Sequence, residues 1–308
     1  MKLEGNIKSS SYLPAQGFKI KARTKNVRNY LFFLFCLLSA LMLGVVLFCI
    51  VLFIGKTGLL VFKDVSVMEF FFSTTWEPYD GKYGAAIFIL GTLSLTALTM
   101  CFAVPLSLAL AVFIVEVAPD WVKKILRPML DLLVGIPSII YGYLGLTLLI
   151  PLLRNITGSI MGDGLLAASL VLTVMVLPTI TRISDDAITA VPKDLREAAY
   201  ALGSTRFQSI FRVILPAAKP GILTATVLGM ARAIGETMAV VMVIGNTAQI
   251  PGDLLTPTAV LTSNIVMQII DVQFDSTWNY ALYMMAFLLL IISSLMILMI
   301  RRIRGKGE

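Results

Sequence analysis

The sequence predicts an all-α integral membrane protein with six transmembrane helices. Of its 308 residues, 58% are hydrophobic and only 14% are charged, whereas a soluble domain carries about 25% charged residues. Six apolar runs approach or exceed the length of about 20 residues that crosses a bilayer, and the basic residues cluster on one side of these runs. The chain has too few polar side chains to cover a water-facing surface. This excludes an ordinary cytosolic enzyme, a disordered protein and a nucleic-acid-binding protein.

The order of the chain follows from the six apolar runs, which are residues 30–54, 83–115, 132–153, 164–181, 218–247 and 276–300. We expect residues 1–29, which are basic and polar, to form a loosely ordered cytoplasmic arm. The first run is longer than the apolar part of a signal peptide, about 7–15 residues, so it predicts an uncleaved membrane anchor. An external loop, residues 55–82, separates this anchor from a membrane core over residues 83–301, and residues 302–308 form a cytoplasmic tail.

The distribution of Lys and Arg predicts the orientation. With both termini inside, 20 of the 25 basic residues lie in cytoplasmic segments and four lie in external loops. Cytoplasmic loops of membrane proteins carry the excess of Lys and Arg. We therefore expect a multi-pass protein of the cell membrane, the inner membrane in a Gram-negative cell, with cytoplasmic N and C termini. The remaining basic residue, Arg232, lies inside the fifth run.

Several kinds of site are excluded by composition. The chain has no His, so it cannot hold a Ser-His-Asp triad or a His-ligated metal. Cys36, Cys49 and Cys101 lie in apolar runs without CxxC spacing, and we expect buried, inert thiols. Residues 55–57 read Gly-Lys-Thr, but a P-loop also requires Gly at the position that Ile50 occupies. We therefore expect no catalytic residue, no metal and no cofactor in this chain, which is not an enzyme.

The polar segment 184–220, between the fourth and fifth runs, predicts two short amphipathic helices. Asp194 followed by Glu197 has the spacing of a capping box that begins the first helix, and Gly203 would end it. Pro216 and Pro220 would break the chain before the fifth run. From the residues alone, this segment is either an interfacial hairpin lying on lipid or a docking element for a partner.

The same segment resembles the EAA loop of ABC importer permeases. The residues that carry the resemblance are Glu197, Ala198, Ala199, Gly203, Leu215 and Pro216. Only Val213 departs from the pattern, which usually has Ile at that position. The resemblance implies a type I ABC importer permease architecture and a hairpin whose first helix docks on a separate ATPase subunit. That partner ATPase, and not this chain, would bind ATP and Mg²⁺.

Arg232 and Glu236 are charged residues inside the fifth run. Because they are four residues apart, we expect them to share one helix face. A charge at the bilayer centre costs about 2.5–3.5 kcal/mol, so both should point into the bundle, either as a mutually neutralising structural pair or along a substrate path. A guanidinium fits phosphate and other oxyanions. Thr237 and Asn246 are polar neighbours that would either line this path or form interhelical hydrogen bonds.

Residues 232–240 and 244–247, which read RAIGETMAV and IGNT, resemble the PstC-type permeases of phosphate ABC importers, as does IPSIIYG at residues 136–142. The resemblance implies a permease subunit that couples ATP hydrolysis by a separate subunit to phosphate import, with Arg232 and Glu236 in the path. It also implies a PstA-like permease as heterodimer partner, two copies of a PstB-like ATPase and an external PstS-like phosphate-binding protein.

Three alternatives remain open from the sequence. One is a permease for molybdate or sulfate. Another is an ion-coupled secondary transporter, for which inverted repeats and broken helices are expected; the sequence shows neither. The third is a non-transporting membrane scaffold or sensor, which would not need Arg232 and Glu236 buried together.

Overall fold

The computed structural model describes residues 19–158 and 160–305. Within these residues the chain is α-helical apart from one short antiparallel hairpin, in which Trp76–Glu77 (β1) pairs with Lys82–Tyr83 (β2). The helices before the fourth span are α1 (Lys19–Leu59), α2 (Val67–Phe72), α3 (Ala86–Val112), α4 (Asp120–Val134), α5 (Ser138–Leu144) and α6 (Ile150–Thr157). Those that follow are α7 (Leu165–Thr189), α8 (Lys193–Ala201), α9 (Arg206–Ser209), α10 (Leu215–Ile234), α11 (Met238–Val243), α12 (Leu261–Gln268) and α13 (Thr277–Gly305).

In the described residues, three π-helical turns directly continue preceding helices within the spans. They follow α3, α5 and α9 and cover Phe113–Val117, Gly145–Leu149 and Ile210–Ile214. A 3₁₀ turn at Leu60–Lys63 continues α1, and another at Pro78–Asp80 connects β1 to β2. The described residues therefore contain six helical segments that are long and apolar enough to cross a membrane, as the sequence predicts. They are Asn29–Lys63, Ala86–Val117, Ser138–Thr157, Leu165–Thr189, Arg206–Ile234 and Thr277–Arg302.

The contacts divide the chain into two units, Met1–Phe53 and Ile54–Glu308. In the first unit, α1 begins at Lys19, so the expected loosely ordered arm is helical from that residue; the rest of the arm, residues 1–18, lies outside the described residues. Every side chain over residues 29–53 is exposed. A helix that is apolar on all its faces is stable in lipid rather than in water, which agrees with the expected membrane anchor.

The third and fifth spans differ from the predicted boundaries. The third begins at Ser138, because the amphipathic helix α4 ends at Val134 and Pro137 precedes a new helix. The fifth begins at Arg206, so Pro216 and Pro220 do not break the chain as expected. Neighbouring packing can hold a helix together although proline removes a backbone donor. Here the buried side chains are those of Ile210, Ile214 and Ala218.

The second unit has its main core around α7. Leu172, Met175 and Val176 of this helix are fully buried and pack with residues of α3, α5, α10 and α11. A second buried cluster surrounds β1 and the start of α13, with Phe70, Trp76 and Leu282 among its members. Helix α7 thus forms the centre of the core, and the fifth span, which contains Arg232, packs against it. The three cysteines are exposed on α1 and α3 rather than buried, because these apolar helix faces have no protein neighbour.

Candidate functional site

The charged span is interrupted directly after Arg232. Helix α10 ends at Ile234, residues 235–237 are not helical, and α11 begins at Met238. Arg232 therefore lies on α10 and Glu236 lies within the break, so the two residues do not share one helix face and that expectation was wrong. The break itself was also not predicted, because the sequence indicated one continuous fifth run over residues 218–247. Whether a helix continues through Gly235 depends on the packing of both halves, which local spacing does not encode.

Arg232 lies in the last turn of α10 and is half-buried. Its Nη1 donates a hydrogen bond to Thr179 Oγ1, at 3.0 Å, near the middle of α7. Among the described residues, no carboxylate lies within ion-pair distance of Arg232. Four of its five N–H donors therefore have no protein partner in the described part of the chain.

Glu236 lies within the break, and its side chain contacts the start of α11. Its Oε1 accepts a hydrogen bond from the backbone N–H of Ala239 at 3.1 Å, which satisfies a free donor in the first turn of α11. Its backbone carbonyl accepts from Thr262 Oγ1 of α12 at 3.1 Å. The carboxylate thus holds α11 and does not neutralise Arg232.

Thr237 and Asn246, the two polar residues predicted to line the path, do not lie together. Thr237 Oγ1 donates to the carbonyl of Gly235, within the break. Asn246 lies beyond the far end of α11, about 9 Å of helix away, in a left-handed conformation with φ of 49°. Its Nδ2 donates to the carbonyl of Val241 at 2.7 Å, whereas its Oδ1 is buried with no partner among the described residues. The structure therefore brings Arg232, Glu236 and Thr237 together at the break and places Asn246 apart from them.

The hairpin of segment 184–220 consists of α8 and α9. Gly203 ends α8, and its φ of +78° is a conformation that favours glycine, as predicted. The predicted capping box at Asp194 was wrong, because Pro192 is the residue that precedes α8 and no side chain caps this helix. A reciprocal capping box instead begins α9, where Thr205 and Gln208 exchange hydrogen bonds.

One side of the hairpin is exposed and the other packs against the spans. Glu197 and Ala198 are exposed, whereas Ala199 is 7% exposed and packs inward. Leu202 at the tip is 89% exposed, and Phe207 is 68% exposed. At the base, Leu215 is half-buried and Pro216 is exposed. An exposed apolar tip of this kind marks an interaction surface.

Ionic contacts that the sequence did not single out anchor the hairpin to the spans. Arg196 of α8 forms an ion pair with Glu116 at the end of α3 and donates to the carbonyl of Ile188 on α7 at 2.7 Å. Arg206 of α9 donates to the Glu116 carbonyl, and Lys123 of α4 donates to the Val115 carbonyl at 3.0 Å. Cations are favourable at helix C-terminal ends, where carbonyls are free. The end of α3 thus binds three neighbouring helices.

A second ionic cluster fixes α4 against α7. Asp185 is completely buried and accepts two hydrogen bonds from Arg127, through Nε and Nη2, both at 2.8 Å. Arg182 contacts Asp131, Asp185 and Asp186 at 3.2–3.3 Å. Arg127 and Asp185 are 58 residues apart in the chain, so no local pattern reveals this pair.

Comparison with known proteins identifies the family. The family described as the binding-protein-dependent transport system inner membrane component matches residues 103–306. The chain belongs to this family. It is a multi-pass membrane component of a transport system. The matched region includes the hairpin, the helix break and both ionic clusters.

Two relatives and one solved structure place this family member more closely. The chain is 46% identical to the probable ABC transporter permease protein YqgH of Bacillus subtilis, over 84% of this chain and 85% of the relative. It is 36% identical to the phosphate transport system permease protein PstC of Xylella fastidiosa, over 77% and 81%. A structure of the MetNI methionine ABC transporter in inward-facing conformations aligns with a TM-score of 0.56 at 25% identity, over 71% and 93%. The fold is that of type I ABC importer permeases.

Proposed function

We propose that this chain is the membrane-spanning permease subunit of an ATP-driven phosphate importer. The observation that carries the proposal is the state of Arg232, a guanidinium at a helix break in the middle of the bundle, bound by a hydroxyl and not by a carboxylate. An uncompensated guanidinium with free donors is suited to a transient oxyanion ligand. The PstC relatives are named for phosphate transport, which supports phosphate over molybdate or sulfate.

The residues at the break have different roles in this proposal. Arg232 contacts the passing anion, and Thr237 lines the path beside it. Asn246 lies farther along the same path, beyond α11, where its unpaired Oδ1 accepts a hydrogen bond from a P–OH group, which phosphate carries at neutral pH and sulfate does not. Glu236 shapes the path by holding the start of α11.

Energy for import must come from a partner. Moving one negative charge into a cell costs about 2.3 kcal/mol per 100 mV of inside-negative potential, and phosphate carries one or two charges. We infer that an ATPase, in two copies of a PstB-like subunit that bind ATP and Mg²⁺, docks on the exposed tip of the α8–α9 hairpin. A PstA-like permease completes the path, and a PstS-like protein delivers phosphate from outside. In this arrangement the termini are cytoplasmic.

Labelled phosphate uptake into vesicles tests the proposal. The complete complex, reconstituted with its ATPase and binding protein, should accumulate phosphate only with ATP, and in preference to sulfate and molybdate. Arg232→Gln should lower uptake at least tenfold. The matched control is Arg301→Gln, which removes the same charge from an exposed position at the end of α13 and should leave uptake within about twofold. Undiminished uptake by the Arg232 variant would contradict the path assignment, and preferred uptake of molybdate or sulfate would contradict the substrate.

A further inference from the structure

Among the described residues, Thr179 is a threonine of the spans whose hydroxyl accepts a hydrogen bond from a charged side chain. The hydroxyls of Thr92, Thr96 and Thr173 each donate to the carbonyl four residues earlier on their own helix, at 2.7 Å. Thr179 instead accepts the hydrogen bond from Arg232 Nη1, across 53 residues of sequence. It is also the residue that follows Pro178 inside α7. We propose that Thr179 is a positioning residue that orients the Arg232 guanidinium in the anion path, a role that rests on the proposed function.

A hydroxyl suits this role because it orients the guanidinium without cancelling its charge. A guanidinium is planar, so one hydrogen bond to a fixed acceptor limits the directions in which the other donors point. A carboxylate in the same place would hold Arg232 equally well but would neutralise it and compete with the anion. The nearby carboxylate of Glu236 is bound to the Ala239 N–H instead.

The position of Thr179 is itself rigid. Pro178 and Ile180, its two neighbours in sequence, are buried, and α7 is the most enclosed of the six spans. Arg232, by contrast, lies in the last turn of α10, and no further turn of this helix follows to support its side chain. The fixed helix therefore positions the side chain on the interrupted one.

The experiment compares Thr179→Val with Thr179→Ser in the complete reconstituted complex. Valine keeps the branched shape and removes the acceptor, and serine keeps the acceptor and removes a methyl group. The measured quantity is the maximal rate of labelled phosphate uptake per assembled complex, at saturating binding protein. This rate should fall about tenfold in the valine variant, because one hydrogen bond to a charged group is lost. In the serine variant the uptake rate should be within about threefold of the wild-type rate.

Thr173→Val is the matched control, since it removes a hydroxyl from the same helix at a residue that does not contact Arg232. Its uptake per assembled complex should stay within about twofold of the wild-type rate. Wild-type uptake by Thr179→Val, equal losses in the valine and serine variants, or an equal loss in the Thr173 control would each overturn the role of Thr179.

Failure of the proposed function gives a different result. If the wild-type complex moves another oxyanion in place of phosphate, the substrate assignment fails, and the same variants are compared with that anion. If the wild-type complex moves no anion with ATP and all partners present, both the proposed function and the positioning role are overturned.

Discussion

Arg196 of α8 is ion-paired with Glu116 at the end of α3, and the Glu116 carboxylate is almost completely buried. The same arginine reaches the carbonyl of Ile188 on α7. One side chain of the hairpin thus contacts two spans that pack against each other. In the proposed function, this contact passes movement of the hairpin to both spans, as a permease driven by an external ATPase requires.

Replacing Glu116 with Gln should weaken this connection. Loss of a hydrogen-bonded charge partner costs about 1.5–3 kcal/mol, and the loosened hairpin should hydrolyse more ATP for each anion moved. Thermal unfolding in detergent and the ratio of ATP hydrolysed to phosphate taken up measure the two effects. Glu77→Gln is the control, because its ion pair with Lys82 is half exposed on both sides and an exposed pair contributes little to stability. Similar results for both variants would contradict the coupling role of Glu116.

Asp185 should be far more important for stability than its neighbour Asp186. Asp185→Asn removes a completely buried charge from a bidentate contact with Arg127, and breaking a buried ion pair costs about 3–5 kcal/mol. Asp186 is largely exposed and has one ion pair, with Arg182, so Asp186→Asn should cost about 1 kcal/mol or less. Thermal unfolding of the two purified variants gives the comparison. An equal fall in Tm would show that Asp185 is not the anchor of α4.

The adjacent alanines of the hairpin should respond differently to enlargement. Ala198 is exposed, so Ala198→Trp should keep the unfolding temperature and reduce the amount of ATPase that co-purifies with the permease. Ala199 is buried, so Ala199→Trp should lower the unfolding temperature, because overpacking costs about 1–3 kcal/mol. Co-purification and thermal unfolding, measured on both variants, separate docking from folding. If Ala198→Trp retains all of its ATPase, the exposed side of α8 is not the docking surface.

The loop before α12 should lose order in acid. The Asp253 carboxylate accepts hydrogen bonds from Thr256 Oγ1 and from the Leu255 N–H, and these bonds hold the pKa of Asp253 below its ordinary value of 3.8. A depressed pKa stabilises the folded loop above the unfolded-state pKa, and this contribution is lost as pH falls through the folded-state pKa. Exchange of the Leu255 amide, corrected for its intrinsic pH dependence, should accelerate in that range. Asp253→Asn should abolish the pH dependence; an unchanged profile would contradict the assignment.

Features that depend on local composition were predicted well. The six spans and the end of α8 at Gly203 followed from apolar run length and the turn preference of glycine. The starts of the third and fifth spans were wrong, because α4 and α9 are amphipathic or short and join their spans through Pro137 or a π-turn.

The partners of the charged residues could not be predicted in the same way. Spacing suggested that Arg232 meets Glu236, but Glu236 lies in the break at residues 235–237 and not on the helix of Arg232. Glu116 and Arg196 are 80 residues apart in the chain, and Arg127 and Asp185 are 58 apart. No local pattern encodes such pairs.

The sequence by itself determined that this is a six-span membrane protein with an arginine inside a span, because hydrophobic length and charge are properties of each segment alone. The tertiary structure decided what that arginine contacts. Packing of α10 and α11 against α5, α7 and α12 sets the break, assigns Glu236 to the start of α11 and brings Thr179 to Arg232. A guanidinium that is oriented but not neutralised exists only once these helices are assembled.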